Sequence, residues 1–259
     1  MSCAYELSAG IEWLFAENDR PFADRIRVAA AEGIAAVEFW PWPGKDLGAI
    51  AAACAETGTE VTSFVADTGV RLVDEATHNG FLRRLPAACR TANRLAAPYL
   101  VITAGAELPG VERERQHDAV VAGLKAAAPI AADHGVQLIL EPLNTRVDHA
   151  GHFLHATAHG LDIVREVGHQ GAALLYDLYH SVVMGERPAE VLSGAMDLVA
   201  HVQIADAPGR HEPGTGNIDW ATEIAALHRL GYRGRLGLEY LPSATSGASL
   251  TALRHALGG

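Results

Sequence analysis

The feature that most constrains the fold of this chain is a repeated alternation of short apolar runs and longer helical patterns. Eight such pairs follow one another from one end of the sequence to the other. Several of the apolar runs, such as VQLIL at 136–140, have no polar residue at every second position, which indicates strands covered on both faces. Eight strands alternating with eight helices predict a (β/α)8 TIM barrel, an α/β fold, as a single domain over residues 1–259. A doubly wound sheet is the main alternative.

The boundaries follow from apolar runs and from Gly and Pro at element ends. The predicted strands are 5–8, 36–40, 60–65, 99–103, 136–140, 172–176, 199–205 and 236–238. The predicted helices are 21–32, 47–56, 81–95, 112–134, 155–167, 188–198, 220–230 and 247–257.

Composition restricts the partners and the compartment. A net charge of −11 argues against nucleic acid and anionic membranes, which are bound by neutralising phosphates. Cys3, Cys54 and Cys89 form no CxxC pair, which fits a reducing cytoplasm. No apolar run reaches the roughly 18 residues of a membrane span. An acidic surface with Ala-rich helices is compatible with a dimer or tetramer, and we expect a homo-oligomer.

Four polar residues stand at the ends of consecutive predicted strands. Glu141 follows VQLIL, Asp177 follows ALLY, Gln203 lies in HVQIAD, and Glu239 follows LGL. In a barrel the carboxyl ends of strands 5 to 8 are neighbours and open into one mouth, where barrel enzymes place their chemistry. Three carboxylates and an amide oxygen form an all-oxygen set that suits Mg²⁺ or Mn²⁺. The alternative is four ordinary loop residues, each paired with a nearby Arg.

Two further residues are candidates for binding a substrate. Arg210 lies in the Gly- and Pro-rich loop after strand 7, and its guanidinium can clamp a carboxylate with two hydrogen bonds. The alternative is an ion pair of Arg210 with Glu212 or Asp206. His180 follows Asp177 by three residues, so a helical turn places both on one face, where the imidazole can hydrogen-bond a substrate oxygen. The alternative is a histidine satisfied within its own loop.

Four runs of the sequence resemble hydroxypyruvate isomerases, members of the wider group of xylose isomerase-like TIM barrels. The runs are EPLN at 141–144, YDLYH at 176–180, HVQIADAPGRHEPGTG at 201–216 and LEY at 238–240. The resemblance implies an isomerase that interconverts hydroxypyruvate and tartronate semialdehyde (2-hydroxy-3-oxopropanoate). It also implies that Glu141, Asp177, Gln203 and Glu239 are the metal ligands, and that Glu141 and Glu239 move the protons.

The same residues fit the chemistry of a small hydroxy-carbonyl substrate. Isomerising an α-hydroxy carbonyl removes a weakly acidic C–H proton while charge builds up on oxygen. A carboxylate base and a divalent cation, Mg²⁺ or Mn²⁺, supply what this step needs. Glu141 and Glu239 can then serve either the two carbons between which the proton moves or the two faces of the substrate.

Other functions remain as alternatives. Ketose 3-epimerases of the same group usually have His where this chain has Gln203. A 3-epimerase acting on a free ketose is therefore the second hypothesis, after the hydroxypyruvate isomerase. Two departures bear on substrate choice: Asn217 replaces an expected Glu, and the third loop, ADTGVRLVDEATHN, does not match. A metal-dependent endonuclease is disfavoured by the acidic composition. A non-catalytic sugar-binding barrel predicts binding that is insensitive to neutralising Glu141 or Glu239.

Overall fold

The computed structural model describes residues 5–258, so Cys3 lies outside the described part of the chain. Its strands are β1 (Leu7–Gly10), β2 (Ala36–Pro41), β3 (Glu60–Val65), β4 (Tyr99–Thr103), β5 (Gln137–Glu141), β6 (Ala172–Asp177), β7 (Val199–Ile204) and β8 (Leu236–Leu238). All are parallel to their neighbours and pair in sequence order, and β8 closes onto β1. The predicted TIM barrel is confirmed, and the doubly wound sheet is wrong.

Helices connect the strands and form the outer layer. They are α1 (Phe22–Ala31), α2 (Leu47–Thr57), α3 (Glu75–Leu95), α4 (Arg113–Asp133), α5 (Thr157–Val167), α6 (Leu178–Met184), α7 (Pro188–Val191), α8 (Trp220–Leu230) and α9 (Ser246–Ala256). Between residues 5 and 258, none of them is long and apolar enough to cross a membrane.

The region after β6 differs from its prediction. A single helix over 188–198 is wrong, because α6 follows β6 directly, α7 ends at Val191, and a 3-10 turn precedes β7. Gly194 has φ of +69°, which interrupts a right-handed helix. The side chain of Asp177 accepts hydrogen bonds from the first turn of α6, so the last residue of the strand also begins the helix.

Side chains alternate between the two faces of the barrel wall. Val101, Ile139, Ala173 and Leu175 form an apolar cluster separate from the main core. Ile139 lies two residues before Glu141 on β5, so both point to the barrel interior. The main core lies on the other face, between the strands and the helices. The apolar cluster therefore forms a floor beneath the polar residues at the strand ends.

The loop between β7 and α8 is held by one buried carboxylate, Asp206. Its oxygens accept hydrogen bonds from the backbone N–H of Ala207, Gly214 and Ile218, at 2.8, 2.7 and 3.2 Å, and from Trp220 Nε1 at 2.9 Å. Asp206 is fully buried. The loop is therefore fixed relative to the barrel, and its side chains are presented in defined positions.

We expect Asp206→Asn to lower the free energy of unfolding by about 2 to 4 kcal/mol, because buried N–H donors then face an amide NH2. Urea unfolding followed by circular dichroism measures this. Asp219→Asn is the matched control: exposed Asp219 caps α8 by accepting from the Thr222 N–H, and Asn caps a helix about as well as Asp. Equal losses in the two variants would contradict the role given to Asp206.

Candidate active site

The four strand-end residues lie together at the carboxyl end of the barrel. Glu141 ends β5, Asp177 ends β6, Gln203 lies in β7, and Glu239 follows β8. Asp177 is directly beside Gln203 in the register of the two strands. None of the four is more than 8% exposed. Glu141, Gln203 and Glu239 line one cavity, and carboxylate oxygens of Asp177 and Glu141 lie within 4.8 Å of each other. The structure thus brings all four residues together at this end of the barrel.

Two of the oxygen atoms at this site are buried without a hydrogen-bond partner. Asp177 Oδ1 accepts from the backbone N–H of Tyr179 at 2.8 Å, whereas Oδ2 accepts no hydrogen bond. Gln203 Oε1 also lacks a partner. Unpartnered buried oxygens are rare because they cost free energy, and a hard divalent cation satisfies them. With the carboxylates of Glu141 and Glu239 beside them, these residues fit such a cation.

Two tryptophans form a wall of the cavity. Trp13 and Trp40 both line it and meet edge to face, with ring centroids 4.8 Å apart. Trp40 Nε1 donates a hydrogen bond to Glu239 Oε1 at 2.7 Å. Trp13 in the loop after β1 and Trp40 near the end of β2 therefore lie at the mouth, and Trp40 holds a carboxylate of the site.

The guanidinium of Arg210 lies among the carboxylates. Its Nη2 donates to Glu239 Oε2 at 3.2 Å and lies 3.8 Å from Asp177 Oδ2. Its central carbon is 5.1 Å from the ring centroids of both Trp13 and Tyr179, a distance typical of cation–π contacts. Two aromatic rings and the anchored loop thus fix the position of this cation.

The alternative partners of Arg210 are occupied by other groups. Glu212 accepts hydrogen bonds from the backbone N–H and the hydroxyl of Ser243. Asp206 accepts from its own loop and from an indole N–H. An ion pair between Arg210 and either residue is therefore wrong, and the guanidinium faces the cavity residues instead.

Asn144 determines which nitrogen of His180 carries the proton. The Asn144 carbonyl oxygen accepts from two backbone N–H groups of the following turn, so its NH2 is the group 2.6 Å from His180 Nδ1. Nδ1 is therefore an acceptor, and the neutral ring is protonated on Nε2. Glu141, Asp177 and His180 have atoms within 4.8 Å of one another, but a protonated Nε2 donates to oxygen and does not ligate a metal.

His180 and Arg210 offer two donors to the same space. Burial lowers the pKa of His180 well below its ordinary value, and the charge of Arg210 lowers it further, so the ring is neutral at neutral pH. His180 Nε2 lies 3.3 Å from Arg210 Nη2. Two N–H donors cannot bond each other, but both can donate to one acceptor oxygen of a ligand.

Burial makes the three carboxylates of the site hard to ionise together. It raises the pKa of Glu239 to about 7 and that of Asp177 to about 6, against the opposing effect of Arg210. Burial, followed by repulsion from Glu239 and Asp177, raises the pKa of Glu141 well above its ordinary value. One guanidinium does not neutralise three carboxylates, so the site as a whole favours further positive charge.

Known proteins share this fold. Residues 26–256 match the family described as xylose isomerase-like TIM barrel. The chain belongs to this family. This membership confirms the resemblance that the four sequence runs indicated. The matched region covers nearly the whole barrel.

Its xylose isomerase-like relatives include isomerases that align over most of their length. The chain is 32% identical to the 2-oxo-tetronate isomerase of Cupriavidus necator in an alignment that covers 93% of this chain and 95% of the relative. It is 29% identical to the hydroxypyruvate isomerase of Escherichia coli, covering 94% of this chain and 96% of the relative. A solved structure from Brucella melitensis, described as AP endonuclease, family 2, has 28% identity and a TM-score of 0.86, covering 95% and 96% of the two chains.

Sequence reasoning missed two residues that hold the others in place. Asn144 was noted only within the EPLN run, and its contact with His180 joins two different loops. Glu38, buried in β2, was not among the predicted site residues. A carboxylate inside the apolar run AVEFW was the available signal, since a buried charge requires partners.

We expect the metal-free protein to lose stability as the pH rises. The folded-state pKa of Glu239 lies above its ordinary value of 4.5, so the folded protein binds more protons between these values and the free energy of unfolding falls through that range. The melting temperature in EDTA should drop by several degrees between about pH 5 and pH 8, and should drop less for Glu239→Gln. If the melting temperature falls as steeply with pH in the variant as in the wild type, repulsion at this site is not the cause of the lost stability.

The proton on His180 can be tested directly. In ¹⁵N NMR spectra of the neutral ring, we expect the N–H at Nε2 and an unprotonated Nδ1. Asn144→Asp puts an acceptor beside Nδ1 and should move the proton there, because a carboxylate cannot donate a hydrogen bond. A wild-type spectrum with the proton on Nδ1 would contradict the assignment.

Proposed function

We propose that this chain, an isomerase by its family relationships, interconverts hydroxypyruvate and tartronate semialdehyde. The cation is Mg²⁺ or Mn²⁺, held by Glu141, Asp177, Gln203 and Glu239. The observation that carries the proposal is that the unpartnered buried oxygens of Asp177 and Gln203 lie with two further carboxylates and the guanidinium of Arg210 at one end of the barrel. A divalent cation bound there stabilises the negative charge that develops on the substrate oxygens.

The donors at the site suit a 2-oxo acid. Arg210 binds a carboxylate through paired N–H groups, and His180 Nε2–H donates to the same region. The relatives from Cupriavidus necator and Escherichia coli are named for 2-oxo-tetronate and hydroxypyruvate, which are both 2-oxo acids with a hydroxyl on C3. A free ketose has no carboxylate for Arg210, which favours the acid over the ketose.

Proton transfer is assigned to Glu141 and Glu239. Starting from hydroxypyruvate, one carboxylate removes a proton from C3, and a proton is returned to C2. A further proton passes from the C3 hydroxyl to the oxygen on C2, so that the ketone becomes an alcohol and the alcohol an aldehyde. Positioned acid–base groups of this kind contribute about 10²- to 10⁴-fold to the rate.

Charge and the cavity lining distinguish this function from action on nucleic acid. A DNA-binding groove carries clustered Lys and Arg that neutralise phosphates. This chain has a net charge of −11, and acidic residues and two tryptophans line its cavity. These features support a small-molecule substrate.

A substrate panel tests the proposal. Protein stripped with EDTA and then restored with Mn²⁺ should convert hydroxypyruvate, and the stripped protein should not. We expect Glu141→Gln and Glu239→Gln each to lower kcat by about 10²-fold or more, because each removes a group that moves a proton. Asp219→Asn, an exposed carboxylate-to-amide change outside the cavity, is the control and should keep full activity.

The panel also separates the alternatives. It includes 2-oxo-tetronate as a longer acid and D-allulose as a free ketose. Arg210→Gln should raise KM for the acids, since it removes the group that binds their carboxylate. Proton exchange at C3 of the ketose in deuterated buffer, with no turnover of either acid, would establish a 3-epimerase instead.

A further inference from the structure

A second buried polar cluster lies next to the cavity, centred on Glu38 of β2. Its Oε2 accepts from His201 Nε2 at 2.8 Å and from Ser63 Oγ at 3.2 Å. Its Oε1 accepts from Gln203 Nε2 at 3.5 Å. Glu38, Ser63, His201 and Gln203 are each at most 5% exposed. The mechanism proposed above gives no role to Glu38, although a buried carboxylate is costly unless it is paired.

The hydrogen bonds distinguish the role of Glu38 from that of Gln203. Both oxygens of Glu38 accept hydrogen bonds from the protein. Gln203 is the reverse case: its NH2 is next to the carboxylate of Glu38, and its Oε1 has no partner. A carboxylate can only accept, so an amide beside it must turn its NH2 toward it and its oxygen away. Both residues line the cavity.

A glycine in β8 makes room for this arrangement. A Cβ at Gly237, which is paired with Gln203 across β7 and β8, would collide with Glu38 Oε1 and would lie 2.8 Å from Gln203 Cγ. The absence of a side chain at Gly237 therefore lets Glu38 reach across the barrel to the amide. His201 and Ser63 fix the other end of the carboxylate.

We infer that Glu38 is a positioning residue that holds the Gln203 carboxamide so that its oxygen, and not its nitrogen, faces the divalent cation. The inference rests on the proposed function, in which Gln203 is a ligand. It also explains why the ligand at this position is neutral, because a carboxylate at residue 203 would be repelled by the carboxylate of Glu38. Residues that orient ligands in this way typically contribute 10- to 100-fold to metal affinity.

The experiment measures Mn²⁺ binding to EDTA-stripped protein by isothermal titration calorimetry, without any assay of turnover. In Glu38→Gln the new amide still accepts from His201 through its oxygen and turns its NH2 toward Gln203. The Gln203 amide then rotates its oxygen toward residue 38. We expect Mn²⁺ affinity to fall about 10- to 100-fold.

Two further variants distinguish positioning from loss of charge. In a Gln203→Ala background, Glu38→Gln should lower the Mn²⁺ affinity clearly less than it does in the wild type. Only the charge is lost there, because no amide remains at residue 203 to be oriented. The swap Glu38→Gln with Gln203→Glu keeps the net charge, lets the residue 38 amide donate to the residue 203 carboxylate, and should restore Mn²⁺ affinity. If Glu38→Gln does not fold, Glu38→Asp, which keeps the charge but withdraws it from Gln203, should weaken binding in its place.

The possible results are distinguishable. Unchanged affinity in the Glu38 variants, or an equal loss in the wild-type and Gln203→Ala backgrounds, overturns the positioning role while leaving the proposed isomerase intact. A wild-type protein that binds no Mn²⁺ overturns both. Melting temperatures of the stripped proteins show whether each variant is folded.

Discussion

The candidate site depends on the burial of three carboxylates close together at the mouth of the barrel. Barrel closure places Glu141, Asp177 and Glu239 there, and each is at most 8% exposed. Arg210 offsets part of the repulsion, because its loop is fixed by Asp206 and its guanidinium contacts two aromatic rings. The geometry of the mouth therefore depends on hydrogen bonds made by Asp206, which is not one of the candidate ligands.

The sequence was sufficient for the strand order and for the residues at the strand ends. The limits of β3, β4, β8 and α8 agree with those predicted, and β5 and β6 extend one residue beyond prediction, to Glu141 and Asp177. Shifts of one residue do not change the predicted site, because the carboxyl ends of neighbouring parallel strands still lie at the same end of the barrel. The helix after β6 could not be predicted: its Val182 and Val183 favour strands, and its start depends on capping by Asp177.

The contacts that orient the site could not be predicted in the same way. Glu38 and Gln203 are 165 residues apart in sequence, and Asn144 and His180 are 36 apart. Hydrophobic periodicity identifies which face of a strand is buried, but it gives neither the register nor the side-chain rotamer across the barrel. The candidate ligands could therefore be named from the sequence, whereas the residues that contact and orient their side chains required coordinates.

The indole of Trp40 lines the cavity and also contacts one of its carboxylates. Its N–H is bonded to Glu239, and the ring contacts Trp13, which in turn packs against Arg210. Any change in charge at the carboxylates thus alters the surroundings of two of the four tryptophans in the chain. The protein carries its own fluorescent reporter at the cavity, so cation and substrate titrations can be followed in the unlabelled native chain.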